Sequence, residues 1–496
     1  MLILTLEKLE LALNLNSKKR KMKKYIIGVF ALVTLFSCHS DSYYEDLNID
    51  PKNPSEVSEN FLFTSATVSL FDQMNSISVN TNIFSFFAQY LTTTTYIDEP
   101  NYDLTNRNIP QSHWRELYND VIFDLQNAKD NTNANEELTD AEKSARIGQI
   151  EVLEVYAWSV LVDSFGDIPY TEAINASEIT LPVYDDAATI YSDLISRLNA
   201  VQTNLSSSGT GFTDSDVIYG GDLNKWSKFA NSLLLRLGLR LQDVNPSASA
   251  DAISAAVSGG VFESNDDNAI INYQSSTPNT NPKWLDLVQS GRSDFVAANT
   301  LVDYMNDLED PRRAYYFDDN LGDDTYEGGT YGDSNSYPLY THFGDAFLDP
   351  THPGILLDYA EVEFNLAAAA QANLGGVTGA EDHYESAITA SILYAGLSQT
   401  TADDYLAQSD VAYDGTQDQL ALQFWIAMFD NSFEGWSVWR LYDAPELNTP
   451  ADTGLPVPLR YTYPVNEQNL NTANYDAAAT AIGGDIQQTP LFWDVQ

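Results

Sequence analysis

The sequence predicts a mainly α-helical protein, built of tetratricopeptide-like helical hairpins and interrupted by one long loop-rich stretch. Three observations carry that prediction. Apolar residues recur every three or four positions in six separate segments, the period of a helix that buries a face. The segments fall into neighbouring pairs, 111–129 with 146–164, 185–205 with 222–242, and 355–373 with 380–398, as antiparallel hairpins would. Residues 262–353 are instead dense in Asn, Asp, Gly, Ser, Pro and Tyr, with a helical period only at about 293–308. A loop region of that length inside an ordered chain is usually functional. The chain is ordered by composition: it is 44% hydrophobic and 12% aromatic. No shift in composition marks a boundary after residue 50, so 51–496 reads as one domain.

At the N-terminus a basic run, Lys18-Lys19-Arg20-Lys21-Met22-Lys23-Lys24, precedes about twelve mostly apolar residues, Tyr25 to Phe36. As a helix they would span roughly 18 Å, too short to cross a bilayer. Basic, then apolar, then small is the order of a secretory signal peptide, here 1–37, with Met22 the natural start and 1–21 an upstream extension. Cys38 is the single cysteine, so the chain forms no internal disulfide. Leu35-Phe36-Ser37-Cys38 resembles the lipobox of bacterial lipoproteins, in which the thiol is acylated. Several acyl chains on one residue give stable anchoring. Residues 38–50 are polar and acidic, as suits a tether to a folded body.

The helices follow in order. Trp114, Tyr118, Val121 and Leu125 mark the first stripe. In 146–173, Ile150, Leu153, Ala157, Val160 and Leu161 share a face that Val152, Tyr156 and Trp158 widen, and Gly166 with Pro169 stops the helix. Ile190, Leu194 and Leu198 mark the third. Trp226, Phe229, Leu233, Leu237 and Leu241 mark the fourth, with Asp222 as its N-cap. In 355–376 the alanines 367–370 allow close approach of a neighbouring helix, and Gly375-Gly376 ends the segment. Tyr384, Ile388 and Ile392 form its partner's stripe.

Charge narrows the function classes. Past Ser37 there are 17 Lys and Arg against 69 Asp and Glu, a net charge near −52. Such a field repels nucleic acid and other polyanions. No Lys/Arg cluster follows residue 37, although Arg292, Arg312 and Arg313 of the loop-rich region would form one if folded together. The chain has no HExxH, no GxSxG and no phosphate-binding glycine loop. A glycoside hydrolase needs two carboxylates at a set separation, and among 69 acids a pair says nothing. His342 and His352 make a poor metal site. A structural calcium ion suits the acidic surface, yet "DDNLGDD" (318–324) does not follow the EF-hand pattern. The expectation is a binding protein without cofactor or metal, with a surface hydrolase or a structural subunit as rivals.

Six motifs, in order, sharpen it: "DLNIDPKNP" (46–54), "LVDSFGDIPYTEA" (161–173), "WSKFANSLLLRLGLRL" (226–241), "YAEVEFNLAAAAQA" (359–372), "EGWSVWRLYDAPEL" (434–447) and "PVPLRYTYPVNEQNLN" (456–471). Together they resemble the SusD/RagB family of nutrient-binding outer-membrane lipoproteins of Bacteroidetes, in its SusD-like 2 branch, over essentially all of 38–496. Arg440 stands alone where that family often carries two consecutive arginines. The resemblance implies four tetratricopeptide-like hairpins scaffolding a loop-built binding face. It implies a SusC-type TonB-dependent barrel as partner in the outer membrane, and a glycan ligand bound at the cell surface without chemistry. A peptide cargo is the alternative.

Sugar rings offer apolar faces to flat aromatic side chains and hydroxyls to carboxylates, amides and guanidinium groups. Trp114, Trp158, Trp226, Trp425, Trp436 and Trp439 sit on apolar helical stretches and read as core, while Trp493 carries no pattern. Trp284, in the polar, proline-marked "TPNTNPKWLDL" (277–287), is the first candidate to touch ligand. Tyr96, Asp98, Asn101 and Tyr102 of "LTTTTYIDEPNYDL" (91–104) form the second group. Tyr326, Tyr331 and Tyr337 of "DDTYEGGTYGDSNSYPLY" (323–340) form the third.

Overall fold

A computed structural model describes residues 57–495 apart from 105 and 176. Cys38, the signal segment 1–37 and the tether 38–50 lie outside the described residues. Helices of eight or more residues are numbered here in chain order. Helix α1 spans Glu59–Asn75. Helix α2 is composite: Ile109–Arg115, a π-helical stretch Glu116–Ile122, then Phe123–Ala134. It packs on α1 and on α3, Asp140–Phe165. Then come α4, Ala187–Leu205, α5, Leu223–Arg240, and α6, Pro246–Gly259, each laid against the one before it. A short α7, Asn299–Asp307, lies within the loop-rich stretch. The second half is α8, Tyr359–Gln371, α9, Ala380–Tyr394, α10, Gln399–Leu406, α11, Gln417–Ala427, and α12, Ser432–Tyr442. Helix α13, Thr472–Ala481, follows. The pairs expected from periodicity, α2 with α3, α4 with α5 and α8 with α9, do pack together. The architecture is mainly α-helical, with tetratricopeptide-like hairpins.

Local chemistry sets the boundaries. Thr139 caps α3 by accepting from Glu142 N–H while Glu142 accepts from Thr139 N–H, so the helix begins six residues before the stripe expected at 146. It ends at Gly166, whose φ of +84° suits a residue without Cβ. Asp222 caps α5 as expected, accepting from Asn224 and Lys225 N–H. Asp358 caps α8, so the helix starts at Tyr359 and not at 355. The residues before it, Gly354–Leu357, form a strand.

Four short strands make two antiparallel pairs: β1, Leu91–Thr93, with β3, Phe295–Ala297, and β2, Ala269–Ile271, with β4, Gly354–Leu357. Gly354-Ile355-Leu356-Leu357 is buried throughout, and a continuous apolar run of that length fits a buried strand as well as a helix.

Helix α5 is the core element. Leu233, Leu234, Leu235, Leu237 and Leu239 are all buried, so the helix is enclosed on every side. Two arginines are enclosed with them. Arg236 donates from Nε and Nη2 to the Glu361 carboxylate of α8, at 2.5 and 2.6 Å. Arg240 Nη2 donates to both oxygens of Glu434 on α12, each at 2.9 Å. Asp163 of α3 lies 3.8 Å from Arg240 Nε and accepts from Tyr191 O–H at 2.5 Å and Trp493 Nε1–H at 2.8 Å. Arg440 stacks on Trp436 at 3.5 Å and donates to the Asp163 carbonyl. Burial disfavours charge on Glu434, yet Arg240 and Arg236 outweigh it and hold its pKa below the usual carboxylate range. Trp493, which follows no sequence pattern, is thus a buried part of this network.

Candidate functional site

The three candidate loops meet. The β1–β3 ladder, in the register Leu91↔Ala297 to Thr93↔Phe295, fastens the first loop to the segment that follows Trp284. Past the ladder, Thr94 N–H donates to Asp294 O at 2.9 Å and Thr94 Oγ1 donates to Ser293 O at 2.6 Å. The third loop lies along the same edge. Gly329 N–H donates to Ala297 O at 2.8 Å, Asn335 Nδ2 to Thr93 O at 3.0 Å, and Ser334 Oγ to Thr94 O at 2.8 Å. The approach is close: a Cβ on Gly328 would lie 2.3 Å from the Asn299 Cα, so glycine is required there. The base of the second loop is pinned by Asp430, which pairs with Lys283 and accepts from His352 Nε2 at 2.8 Å. Burial would raise the pKa of Asp430, but Lys283 and His352 hold it well below the ordinary carboxylate range.

The eight candidates divide into two sets. Asn101, Tyr102, Tyr326 and Tyr331 are buried, and they hold the loops together from inside. Asn101 donates to the Gly332 and Ile97 carbonyls and accepts from Thr453 N–H. Tyr102 accepts from Gln89 and packs against Tyr331, whose hydroxyl donates to Phe86 O at 2.6 Å. Tyr326 lies under the Arg313 guanidinium, 5.6 Å from it. Their rings and amide are enclosed by neighbouring backbone and offer no open face to a ligand. Tyr96 and Asp98 are exposed, while Trp284 and Tyr337 are half-buried. The indole N–H of Trp284 has no partner among the described residues. Tyr337 stacks on His342, with centroids 3.8 Å apart, and lies within hydrogen-bonding reach of Ser293. Tyr96 is 56% exposed and has a φ of +53°, a left-handed conformation that costs a bulky residue about 1–2 kcal/mol. Strain of this kind concentrates at functional sites.

Tyr96 stands at a cleft of about 410 Å³ between the first and second loops, whose lining includes Glu99, Arg107, Asp286, Ser290, Arg292 and Asp294. Arg107 and Arg292 approach the Tyr96 ring to 5.6 and 5.4 Å. Each is already paired, Arg107 with Glu99 and Arg292 with Asp294. Asp286 has no cationic partner among the described residues. Burial and the neighbouring Asp294 push its pKa up to about 6. Burial also raises Glu99, against the pull of Arg107. The arginine cluster allowed for in the sequence does not form: Arg312 is enclosed with Asp310 and Gln423, Arg313 bonds to Asn306, and only Arg292 reaches the cleft. Glu99, Arg107, Asp286 and Asp294 escaped sequence reasoning. The available signal was adjacency, since Glu99 sits beside Asp98 and Asp286 two residues past Trp284. A second, larger groove of about 540 Å³ runs between α2 and residues 169–182. Its lining is mainly apolar, with Asn119, Glu172, Asn175, Thr180 and Glu467 among it.

Residues 51–464 match the SusD-like 2 family, described as starch-binding and associating with the outer membrane. The chain belongs to the SusD-like family. Solved SusD homologues share its fold. A chitin-binding protein is 26% identical with a TM-score of 0.77, over 88% of this chain and 100% of its own. A chitin-binding SusD homologue from Flavobacterium johnsoniae is 22% identical with a TM-score of 0.75, over 88% and 99%. A SusD homologue from Bacteroides uniformis is 23% identical with a TM-score of 0.76, over 88% and 100%. The comparison with curated proteins returned no match. SusD-like proteins are a carbohydrate-binding, outer-membrane-associated family of Bacteroidetes. Among the described residues no helix is long and apolar enough to cross a membrane. The SusD-like motifs at 161–173, 226–241, 359–372 and 434–447 contribute Asp163, Arg236, Arg240, Glu361, Glu434 and Arg440, the members of the buried ionic network.

Proposed function

We propose that this SusD-like chain captures a glycan without acidic groups in the cleft beside Tyr96. It hands that glycan, chemically unchanged, to a SusC-type TonB-dependent transporter. A lipid on Cys38 holds it at the cell surface. The observation that carries the reading is the cleft between the first and second loops, with Tyr96 exposed and both nearby guanidiniums already neutralised. Aromatic rings supply stacking surfaces for sugar faces, and Ser290 and the carboxylates supply hydrogen bonds to hydroxyls. A polyanion would have to break both arginine pairs and approach a chain of net charge −47. A neutral chain, glucan-like or of N-acetylated amino sugars, meets neither obstacle. The likeness to a chitin-binding protein supports that class.

Calorimetry with neutral and anionic polysaccharides, at about 50 and 500 mM salt, tests the reading. Binding to a neutral chain that changes little with salt is expected. Salt-sensitive binding to an anionic glycan, with none to neutral ones, would overturn it. Incubation with the bound glycan should leave its length unchanged, and shortened products would point to a hydrolase.

A further inference from the structure

The charges facing the cleft do not balance. Three carboxylates, Glu99, Asp286 and Asp294, meet two guanidiniums, Arg107 and Arg292. Arg107 is spent on Glu99 Oε1, with Nη1 on Asn80 Oδ1 at 3.4 Å. Arg292 is spent on Asp294, with Nη2 on Oδ1 at 3.1 Å. The residual negative charge falls on Asp286, whose carboxylate has no donor among the described residues and stays open to water at the cleft. In the wall of the same cleft Glu99 is 1% exposed, and its Oε2 is enclosed with no hydrogen-bond partner among the described residues. An enclosed acceptor without a donor is costly, and ordinary folding chemistry fills such positions. The cleft is therefore short of donors and short of one positive charge.

Among the described residues no group of three His, Cys, Asp or Glu is placed to hold a metal ion. The single uncompensated carboxylate beside an exposed aromatic ring calls for a monovalent organic cation carried on a ring that can stack. We propose that the cleft selects amino-sugar units bearing a free, protonated amine, with Asp286 accepting from the ammonium beside the Tyr96 ring. The proposal rests on the glycan reading and ranks ligands within it. An acetylated or hydroxylated sugar offers Asp286 only a neutral donor, whereas an ammonium offers a charge-assisted hydrogen bond. Its charge also relieves the condition that raises Asp286, namely burial beside Asp294.

The test is calorimetry on the whole folded chain with three oligosaccharides of equal length: a glucosamine oligomer, its N-acetylated counterpart and a gluco-oligomer. The pH is held at about 6.5, where most of the Asp286 carboxyl is ionised and much of the amine still carries a proton. The glucosamine oligomer should bind about tenfold or more tightly than either neutral one. That advantage should shrink between about 50 and 500 mM salt and vanish in Asp286→Asn. Equal affinities for the three in the native protein, or an advantage that survives in Asp286→Asn, would overturn the proposal and leave the glycan reading standing. Failure of all three to bind would remove the glycan reading with it.

Discussion

Asparagine in place of Asp286 should make the protein more stable at neutral pH. In the unfolded chain this carboxyl titrates near 3.8, and in the folded cleft near 6. A raised carboxyl pKa means that the folded state holds its proton longer than the unfolded state. Native stability therefore falls as pH rises from about 4 to about 6, and the deficit is complete above that window. Two pKa units at about 1.36 kcal/mol each set a ceiling of roughly 3 kcal/mol. Asp286 is partly open to water, which screens the penalty, so about 1–2 kcal/mol is the expected gain in Asp286→Asn. Over a chain this long that corresponds to only about one to two degrees in Tm, so urea unfolding is the better assay. Paired curves at about pH 7.5 and about pH 4 should show the gain at the first and none at the second. A loss of stability at about pH 7.5 would mean that Asp286 has a donor within the fold. An equal gain at both values would assign the effect to packing and refute the charge argument. The same side chain is thus expected to weaken the empty protein and strengthen the loaded one, the trade-off common at binding sites.

Glu434→Gln should destabilise the fold by about 3–5 kcal/mol, because it strips the counter-charge from Arg240 and leaves a guanidinium enclosed in the core; chemical denaturation reads the loss. Trp284→Ala should weaken glycan binding about five- to thirtyfold, from the roughly 1–2 kcal/mol of an aromatic contact, with the melting temperature nearly unchanged. A large drop in melting temperature would place the indole among structural residues instead. Cys38→Ser should move the protein from the membrane fraction to the soluble one, and retention after a high-salt wash would count against lipidation.

Much of the scaffold was legible because helical stripes and caps are local signals. The stripes of 146–164 and 222–242, and the cap at Asp222, reappear as α3 and α5. Helices α1 and α6 were not read. In α1, Ser and Thr interrupt "ENFLFTSATVSLFDQMN", and in α6 "PSASADAISAAVSG" is mostly Ala and Ser, so neither shows a sharp apolar stripe. Residues 355–357 read equally as helix or strand in sequence, because an apolar triplet has no period of its own. The binding loops were legible from their aromatic content, but the facing of each side chain was not. Tyr96 and Tyr102 stand six apart in one loop, yet Tyr96 is exposed while Tyr102 is buried against Gln89 and Tyr331, contacts that only the fold brings together. Asp286 and Glu99 were hidden among 71 acidic residues, since an unpaired carboxylate is defined by what fails to reach it in space. The family motifs were legible for a different reason. They record how the scaffold neutralises its own buried charges, so they identify the fold and are silent about the sugar.

The ionic core also sets an order of events. Asp163 is joined to Trp493 across 330 positions of chain, and Arg240 to Glu434 across 194. A growing or translocating polypeptide that has exposed α3 and α5 still lacks Glu361 for Arg236 and Glu434 for Arg240. Closing the centre early would strand those charges in a dry interior, so N-terminal portions have little to gain by collapsing alone. Long-range closure of this kind is slow. Completion of the centre thus waits on α12 and Trp493, which carry the partners that α3 and α5 lack.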